Sequence, residues 1–143
     1  MDELSKDEKN IVPSDLSGVK IMWVEDDTAL NTIMEKWLSQ YDATLTHTTH
    51  GEKALEMLRQ NKPDILLLDI LLPDINGFEV LKEMKADENL KDIPVILFSN
   101  LNHQEDMDQG YKLGAVRFMV KSTVFLEGLA DEIKKVLEEH KSA

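Results

Sequence analysis

The chain of 143 residues contains no cysteine, which excludes a disulfide scaffold and any chemistry that depends on a thiolate. It also has no apolar run that approaches the roughly eighteen residues of a membrane-spanning helix. Its first seventeen residues are charged and have no apolar core, so they do not form a secretory signal. These absences favour a cytoplasmic protein, and we expect no insertion into a membrane.

Basic residues are scarce relative to acidic ones. The 16 lysines and arginines stand against 28 aspartates and glutamates, which gives a formal net charge of −12 at pH 7. A chain with this balance offers no basic surface for phosphate groups, so we expect no direct binding to nucleic acid or to an anionic membrane. Clustered carboxylates are instead suited to a hard cation. The apolar share of 42% is that of a folded globular protein.

The order of apolar segments predicts an α/β fold, because short buried runs alternate with segments of helical spacing. The predicted strands cover 20–25, 43–49, 64–68, 94–98 and 116–120. The predicted helices cover 29–38, 51–61, 78–85, 103–113 and 125–139. The first helix is expected to bury Leu30, Ile33, Met34, Trp37 and Leu38. This alternation favours a doubly wound five-stranded parallel sheet with five helices.

The first seventeen residues differ from the rest of the chain in having only scattered apolar positions. We therefore expect residues 1–17 to form a polar N-terminal extension and residues 18–143 to form a single domain.

The residues directly after the predicted strands are the candidates for chemistry. Ligands of an open parallel sheet bind beyond the carboxyl ends of its strands. The first strand is followed by Glu25 and Asp26, the third by Asp69, the fourth by Ser99 and the fifth by Lys121. The predicted fold would therefore bring acids, a hydroxyl and a lysine to one edge of the sheet.

This set of groups is suited to phosphoryl transfer. Carboxylates held close together repel one another unless a cation neutralises them, and oxygen ligands suit Mg²⁺, which also binds phosphate oxygens. An aspartate can attack phosphorus to form an acyl phosphate. Such a transfer needs mainly positioning and charge neutralisation, which a metal and Lys121 could supply, while Ser99 could hydrogen-bond the phosphate.

In these residues the sequence resembles the receiver domains of bacterial response regulators. The similar segments are Trp23–Asp27 (WVEDD), Leu67–Asp69 (LLD), Leu72–Gly77 (LPDING), Ser99 and Val120–Lys121. The resemblance covers about residues 19–140. It implies the flavodoxin-like strand order 2-1-3-4-5 and a signalling role. A histidine kinase or phosphotransfer protein would donate a phosphoryl group, and an unknown downstream protein would read the result.

Carried over by position, the resemblance implies that Asp69 is the phosphoacceptor. It implies that Mg²⁺ is held by Glu25, Asp26, Asp69 and the backbone carbonyl of Leu71. Lys121 would assist the transfer by binding a phosphoryl oxygen. The protein would then catalyse only its own phosphorylation and dephosphorylation, and would not be an enzyme in the ordinary sense.

The same resemblance implies that Ser99 assists the transfer and that Ser99 and Phe118 form the switch. Two positions depart from the family pattern: Ser122 follows the lysine in place of a proline, and Asn100 replaces a small residue. These departures affect geometry and rate rather than function. Because no proline is present, we expect the peptide bond between Lys121 and Ser122 to be trans.

Two leucines predict a long-lived phosphorylated state. In this family, the side chains two residues after the phosphoacceptor and two after the switch hydroxyl flank the path of the attacking water. Here they are Leu71 and Leu101, which can neither hydrogen-bond a water nor orient it. We therefore expect slow self-dephosphorylation.

Other interpretations of these residues remain open. A haloacid-dehalogenase-like phosphatase would need a second aspartate where Leu71 stands. A flavodoxin-like protein would bind a flavin phosphate, which the acids would repel. A third alternative is a receiver-like interaction module that is never phosphorylated. Taken singly, Asp27 is more simply a helix cap and Phe118 a core residue. His47 and His50 lack metal-like partners and are interpreted as surface residues.

Overall fold

The computed structural model of the protein describes residues 16–101, 103–123 and 126–142. The strands are β1 (Lys20–Val24), β2 (Thr44–Thr48), β3 (Ile65–Leu68), β4 (Val95–Ser99) and β5 (Arg117–Val120). The helices are α1 (Thr28–Leu38), α2 (Gly51–Gln60), α3 (Gly77–Ala86), α4 (Gln104–Lys112) and α5 (Leu126–Ser142). Every predicted strand and helix is therefore confirmed, and their ends differ from the prediction by at most three residues. None of the described helices has both the length and the apolar composition that a bilayer crossing requires.

The strands form one parallel sheet in the order β2-β1-β3-β4-β5, as predicted. The chain leaves β1 toward β2 and then returns past β1 to β3, so the winding direction reverses between β1 and β3. Val24 at the end of β1 pairs with Leu68 at the end of β3. The acids that follow these strands consequently emerge side by side at the point where ligands of such sheets bind.

Two hydrophobic layers cover the two faces of the sheet. Alternate residues of β1 separate into them, with Met22 and Val24 in one cluster and Ile21 and Trp23 in the other. The first cluster includes α2 and α3, and the second includes α1 and α5. All residues of β3 and β4 are buried, as expected for central strands of a parallel sheet covered on both faces.

The predicted buried face of α1 is wrong at one position. Ile33 is 51% exposed, whereas Asn31 is only 7% exposed. The other buried residues of this helix are Met34, Trp37 and Leu38. Asn31 takes the buried place because its amide has polar partners beneath the helix, which are described below.

Two residues of the expected N-terminal extension contact the rest of the fold. Leu16 is 1% exposed and belongs to the second hydrophobic cluster. The hydroxyl of Ser17 donates a hydrogen bond to Oδ2 of Asp42 over 3.2 Å. Leu16 and Ser17 thus belong to the folded domain, while residues 1–15 of the expected extension lie outside the described residues.

Candidate functional site

Three carboxylates converge at the carboxyl edge of the sheet. Glu25 and Asp26 follow β1 and Asp69 follows β3, and one oxygen of each lies within 4.8 Å of the others. Glu25 and Asp69 are buried, whereas Asp26 is exposed. The sequence-predicted acids are therefore brought together in a cluster that is closed on the protein side and open to solvent at Asp26.

Lys121 enters this cluster from the far side of β4. Its ammonium group donates a hydrogen bond of 2.9 Å to Oδ2 of Asp69 and contacts Oε1 of Glu25. Burial disfavours the charged lysine, but the hydrogen bonds to Glu25 and Asp69 outweigh this effect, so the pKa of Lys121 is raised above its ordinary value. The ammonium therefore stays charged beside the two carboxylates.

Glu25 is strongly affected by its surroundings. Burial and the charge of Asp69 raise its pKa to about 6, although Lys121 acts in the opposite direction. Its Oε1 is fully buried and forms an ion pair with the Lys121 ammonium. Three carboxylates beside a single ammonium leave negative charge uncompensated, and this oxygen-only donor set fits a hard divalent cation.

The loop that follows Asp69 is held by close contacts on both sides. Oδ1 of Asp69 accepts a hydrogen bond from the Ile70 backbone at 2.7 Å, and the amide of Gly77 donates to the Ile70 carbonyl at 2.8 Å. A Cβ at position 77 would lie only 2.3 Å from the Asp69 carbonyl oxygen, so only glycine fits there. Leu71, whose carbonyl was predicted as a metal ligand, lies in this loop with its side chain 59% exposed.

A second anchor of the same loop was not predicted from the sequence. The carboxylate of Asp74 accepts hydrogen bonds from the backbone amides of Gly51 and Glu52 at 2.8 and 2.9 Å. These amides begin α2, and His50 at the N-cap position makes no side-chain hydrogen bond to them. Asp74 therefore caps a helix of another part of the chain and ties the loop to it.

Ser99 and Phe118 occupy neighbouring strands. Ser99 is fully buried at the end of β4, and its hydroxyl accepts a hydrogen bond of 3.4 Å from the amide of Leu101. Ser99 pairs with Val120 across the sheet, so Lys121 passes the end of β4 to reach Asp69. Phe118 is partly buried and packs against the first hydrophobic cluster, which agrees with its interpretation as a core residue.

The segment after Lys121 forms a short 3₁₀ turn over Lys121–Thr123. No peptide bond between described residues is cis, so the bond between Lys121 and Ser122 is trans as predicted. The lysine nevertheless reaches Asp69.

Asp27 and His47 illustrate what the sequence did and did not show. Asp27 is the N-cap of α1, and its carboxylate accepts a hydrogen bond of 3.1 Å from the Leu30 amide, which confirms the capping interpretation. His47 was predicted to be a surface residue, but it is partly buried, with Nε2 located 2.9 Å from the carbonyl oxygen of Glu25. Because a carbonyl only accepts, Nε2 carries the proton.

Known proteins resemble this chain in sequence and in fold. Residues 21–134 match the family described as response regulator receiver domain. The transcriptional regulatory protein AfsQ1 of Streptomyces coelicolor is 34% identical over 101 residues, which cover 71% of this chain and 44% of that protein. The chain spans less than half the length of the first curated relatives that it matches.

Two solved structures extend the comparison. The phosphorylated cyanobacterial phytochrome response regulator RcpA is 31% identical with a TM-score of 0.72, over 86% of this chain and 93% of that chain. The Mn²⁺-bound form of the response regulator Rcp1 is 28% identical with a TM-score of 0.71, over 82% and 91% of the two chains. Together with the order of the strands and the acidic cluster at their ends, these matches show that the chain belongs to the response regulator receiver domain family of two-component signalling.

Proposed function

We propose that Asp69 is the phosphoacceptor of this receiver domain and that a histidine kinase or a phosphotransfer protein supplies the phosphoryl group. The observation that carries this proposal is the position of the Asp69 carboxylate. It lies in the acidic cluster beside Glu25 and Asp26, with the Lys121 ammonium 2.9 Å from Oδ2. A nucleophile with a cation on one side and an acidic cluster on the other is arranged for phosphoryl transfer.

The residues present would hold Mg²⁺ through Glu25, Asp26, Asp69 and the backbone carbonyl of Leu71. When bound, the cation neutralises the oxygens of the incoming phosphoryl group and compensates the excess negative charge of the cluster. The family resemblance to the Mn²⁺-bound Rcp1 structure supports a divalent cation at this site.

The reaction that this geometry supports is a direct transfer between two proteins. A carboxylate oxygen of Asp69 attacks the phosphorus of a phosphohistidine, a P–O bond forms, and the P–N bond to the histidine breaks. Lys121 moves from its ion pair with Asp69 to a phosphoryl oxygen, so its charge is used in both states. The histidine nitrogen leaves with the electron pair of the broken bond.

The phosphorylated state would then be read through Ser99 and Phe118. The buried hydroxyl of Ser99 would hydrogen-bond the new phosphoryl group, and the loop behind it would shift with Phe118 on β5. A downstream protein would recognise the altered surface around β5 and its flanking helices.

The assignment of Asp69 is tested by incubating the protein with acetyl phosphate and Mg²⁺ and measuring its intact mass. We expect one added phosphoryl group in the wild type and none in Asp69→Asn, because an amide is a poor nucleophile. Asp92→Asn is a matched control, since Asp92 is an exposed aspartate before β4, at the other end of the sheet. Undiminished labelling of Asp69→Asn would refute the assignment.

The phosphorylated state should be long-lived. Leu71 is exposed beside Asp69, and Leu101 packs partly against the first hydrophobic cluster, so both present hydrocarbon where a water would have to be oriented. In the double variant Leu71→Asn and Leu101→Glu, we expect faster loss of the phosphoryl group, followed by mass spectrometry after removal of the donor. Ile33→Asn, which changes an exposed apolar residue on α1, should leave the rate unchanged. A wild type that loses its phosphoryl group within seconds would contradict the prediction.

A further inference from the structure

A buried polar chain runs beneath α1 toward the acidic cluster. The indole nitrogen of Trp23 donates a hydrogen bond to Oδ1 of Asn31, and Nδ2 of Asn31 donates one of 3.0 Å to the carbonyl oxygen of Glu25. Trp23 and Asn31 are both buried. An amide on the buried face of an amphipathic helix costs free energy unless both of its ends are paired, and here both ends are paired.

The chemistry of the two partners fixes the orientation of the Asn31 amide. An indole N–H can only donate, and a backbone carbonyl can only accept. The Asn31 oxygen must therefore face Trp23, and its NH₂ group must face Glu25. Neither aspartate, which has no donor when ionised, nor leucine, which has neither group, could satisfy both partners.

The backbone of Glu25 is held from two directions. On one side, its carbonyl oxygen accepts the hydrogen bond from Asn31 on α1. On the other, His47 on β2 approaches the same oxygen at 2.9 Å, and the amide of Glu25 donates to the Thr48 carbonyl at 3.1 Å. The peptide unit between Glu25 and Asp26 is consequently fixed. This unit sets the directions in which both of these carboxylates leave the chain.

We propose that Asn31 is a positioning residue for the divalent-cation site, holding the Glu25 carbonyl so that the carboxylates of Glu25 and Asp26 converge with that of Asp69. The inference rests on the proposed function only in taking these three acids as the metal ligands. Asn31 touches neither the acidic side chains nor the phosphoryl group; it acts through the backbone.

Without the amide of Asn31, the carboxylates would be free to separate. They repel one another, and in the protein this repulsion is opposed by the fixed backbone of the loop after β1. A cation would then have to restore the converged arrangement as it binds, which weakens its affinity. Groups that orient metal ligands typically contribute about 10–100-fold to metal affinity.

The test is a Mg²⁺ titration of the intact protein, followed through backbone amide chemical shifts by nuclear magnetic resonance. We expect Asn31→Leu to raise the Mg²⁺ dissociation constant about 10-fold. Thr32→Ala is the control, because the Thr32 hydroxyl, on the next residue of the same helix, donates its hydrogen bond to the Thr28 carbonyl. That variant should bind Mg²⁺ like the wild type.

Asn31→Asp separates the effect of positioning from the effect of charge. Because aspartate is close to asparagine in shape, this variant also serves as the test if Asn31→Leu does not fold. It keeps the acceptor for Trp23 and replaces the donor to Glu25 with an oxygen. An added negative charge alone would tighten cation binding, whereas the loss of positioning weakens it. We therefore expect weaker Mg²⁺ binding in Asn31→Asp, and recovery of acetyl phosphate labelling when Mg²⁺ is raised to saturation.

The outcomes distinguish the role of Asn31 from the existence of the metal site. Wild-type affinity in both Asn31 variants, or tighter binding in Asn31→Asp, overturns the role of Asn31 and leaves the proposed function intact. A wild type that binds no Mg²⁺ overturns the metal site itself and the role of Asn31 with it. If acetyl phosphate labelling of the Asn31 variants falls and excess Mg²⁺ does not restore it, Asn31 has a structural role only. This result also overturns the proposal.

Discussion

The interior strands β3 and β4 and the edge strand β5 contribute to one site under different constraints. All residues of β3 and β4, which deliver Asp69 and Ser99, are buried, whereas every residue of β5 is only partly buried. β5 pairs with a neighbour on one side only, and it carries Phe118 and leads into Lys121. The nucleophile Asp69 and the hydroxyl of Ser99 are therefore placed by interior strands. The groups proposed to move lie where rearrangement disturbs the fewest buried contacts.

Polar contacts near the surface hold β5 in place. Arg117 forms ion pairs with Glu132 at 2.8 Å and with Glu139 at 2.9 Å on α5. The amide of Phe118 donates a hydrogen bond of 3.1 Å to the hydroxyl of Tyr111 on α4, a residue that is 48% exposed. Partly exposed ion pairs and hydrogen bonds contribute little net stability because water competes for them. Such contacts can be replaced by other contacts, or by water, with little loss of free energy.

The largest expected effect compares truncation of the two kinds of strand. Leu67 on β3 is fully buried and Met119 on β5 only partly, although both contact the second hydrophobic cluster. We expect Leu67→Ala to lower the free energy of unfolding by about 3 kcal/mol, since it leaves a cavity between two packed layers. Met119→Ala should lower it by about 1 kcal/mol, because Met119 is already partly exposed. Equal losses in urea denaturation would show that β5 is as constrained as the interior.

A pH titration should separate the acid of the interior from the lysine of the edge. The pKa of Glu25 is raised to about 6, while that of Lys121 is raised from an already high value and the lysine stays charged. Because a metal ligand must be deprotonated, the apparent Mg²⁺ affinity at about pH 5 should be roughly tenfold below that at about pH 7. Glu25→Gln should remove most of this dependence, and its persistence there would assign the titration to another group.

The same shift affects stability without metal. The pKa of Glu25 lies above its ordinary value of 4.5, so the folded state holds a proton more tightly than the unfolded state. The contribution of Glu25 to stability is therefore present in full below about pH 4.5 and is lost as the pH rises through about 6.

The smallest expected effect concerns the hydrogen bond at the sheet edge. Tyr111→Phe removes the acceptor of the Phe118 amide but keeps the ring, so we expect less than about 1 kcal/mol of destabilisation. Hydrogen exchange of the Phe118 amide should become faster, while Mg²⁺ affinity stays unchanged. Unchanged exchange at this amide would show that other contacts hold the edge.

The sequence by itself determined the elements and their chemistry. Its short apolar runs and helical spacings were sufficient to predict five strands and five helices in alternation, because the side-chain periods of strand and helix are local properties. It also determined that Glu25, Asp26, Asp69 and Lys121 follow strand ends. Right-handed crossovers between parallel strands then bring the carboxyl ends of the strands, and these residues with them, to one edge of the sheet.

Only the tertiary structure decided which polar side chains are buried and which partners they find. A local pattern favoured Ile33 over Asn31 for the buried face of α1, because it ranks residues by polarity and cannot include a hydrogen bond to the Trp23 indole. The bond of His47 to Glu25 joins residues 22 positions apart, and the cap that Asp74 gives to Gly51 joins residues 23 apart. Such pairs leave no periodic signal in the sequence. They form because a buried donor or acceptor must be satisfied by whichever group the packing of distant elements brings within reach.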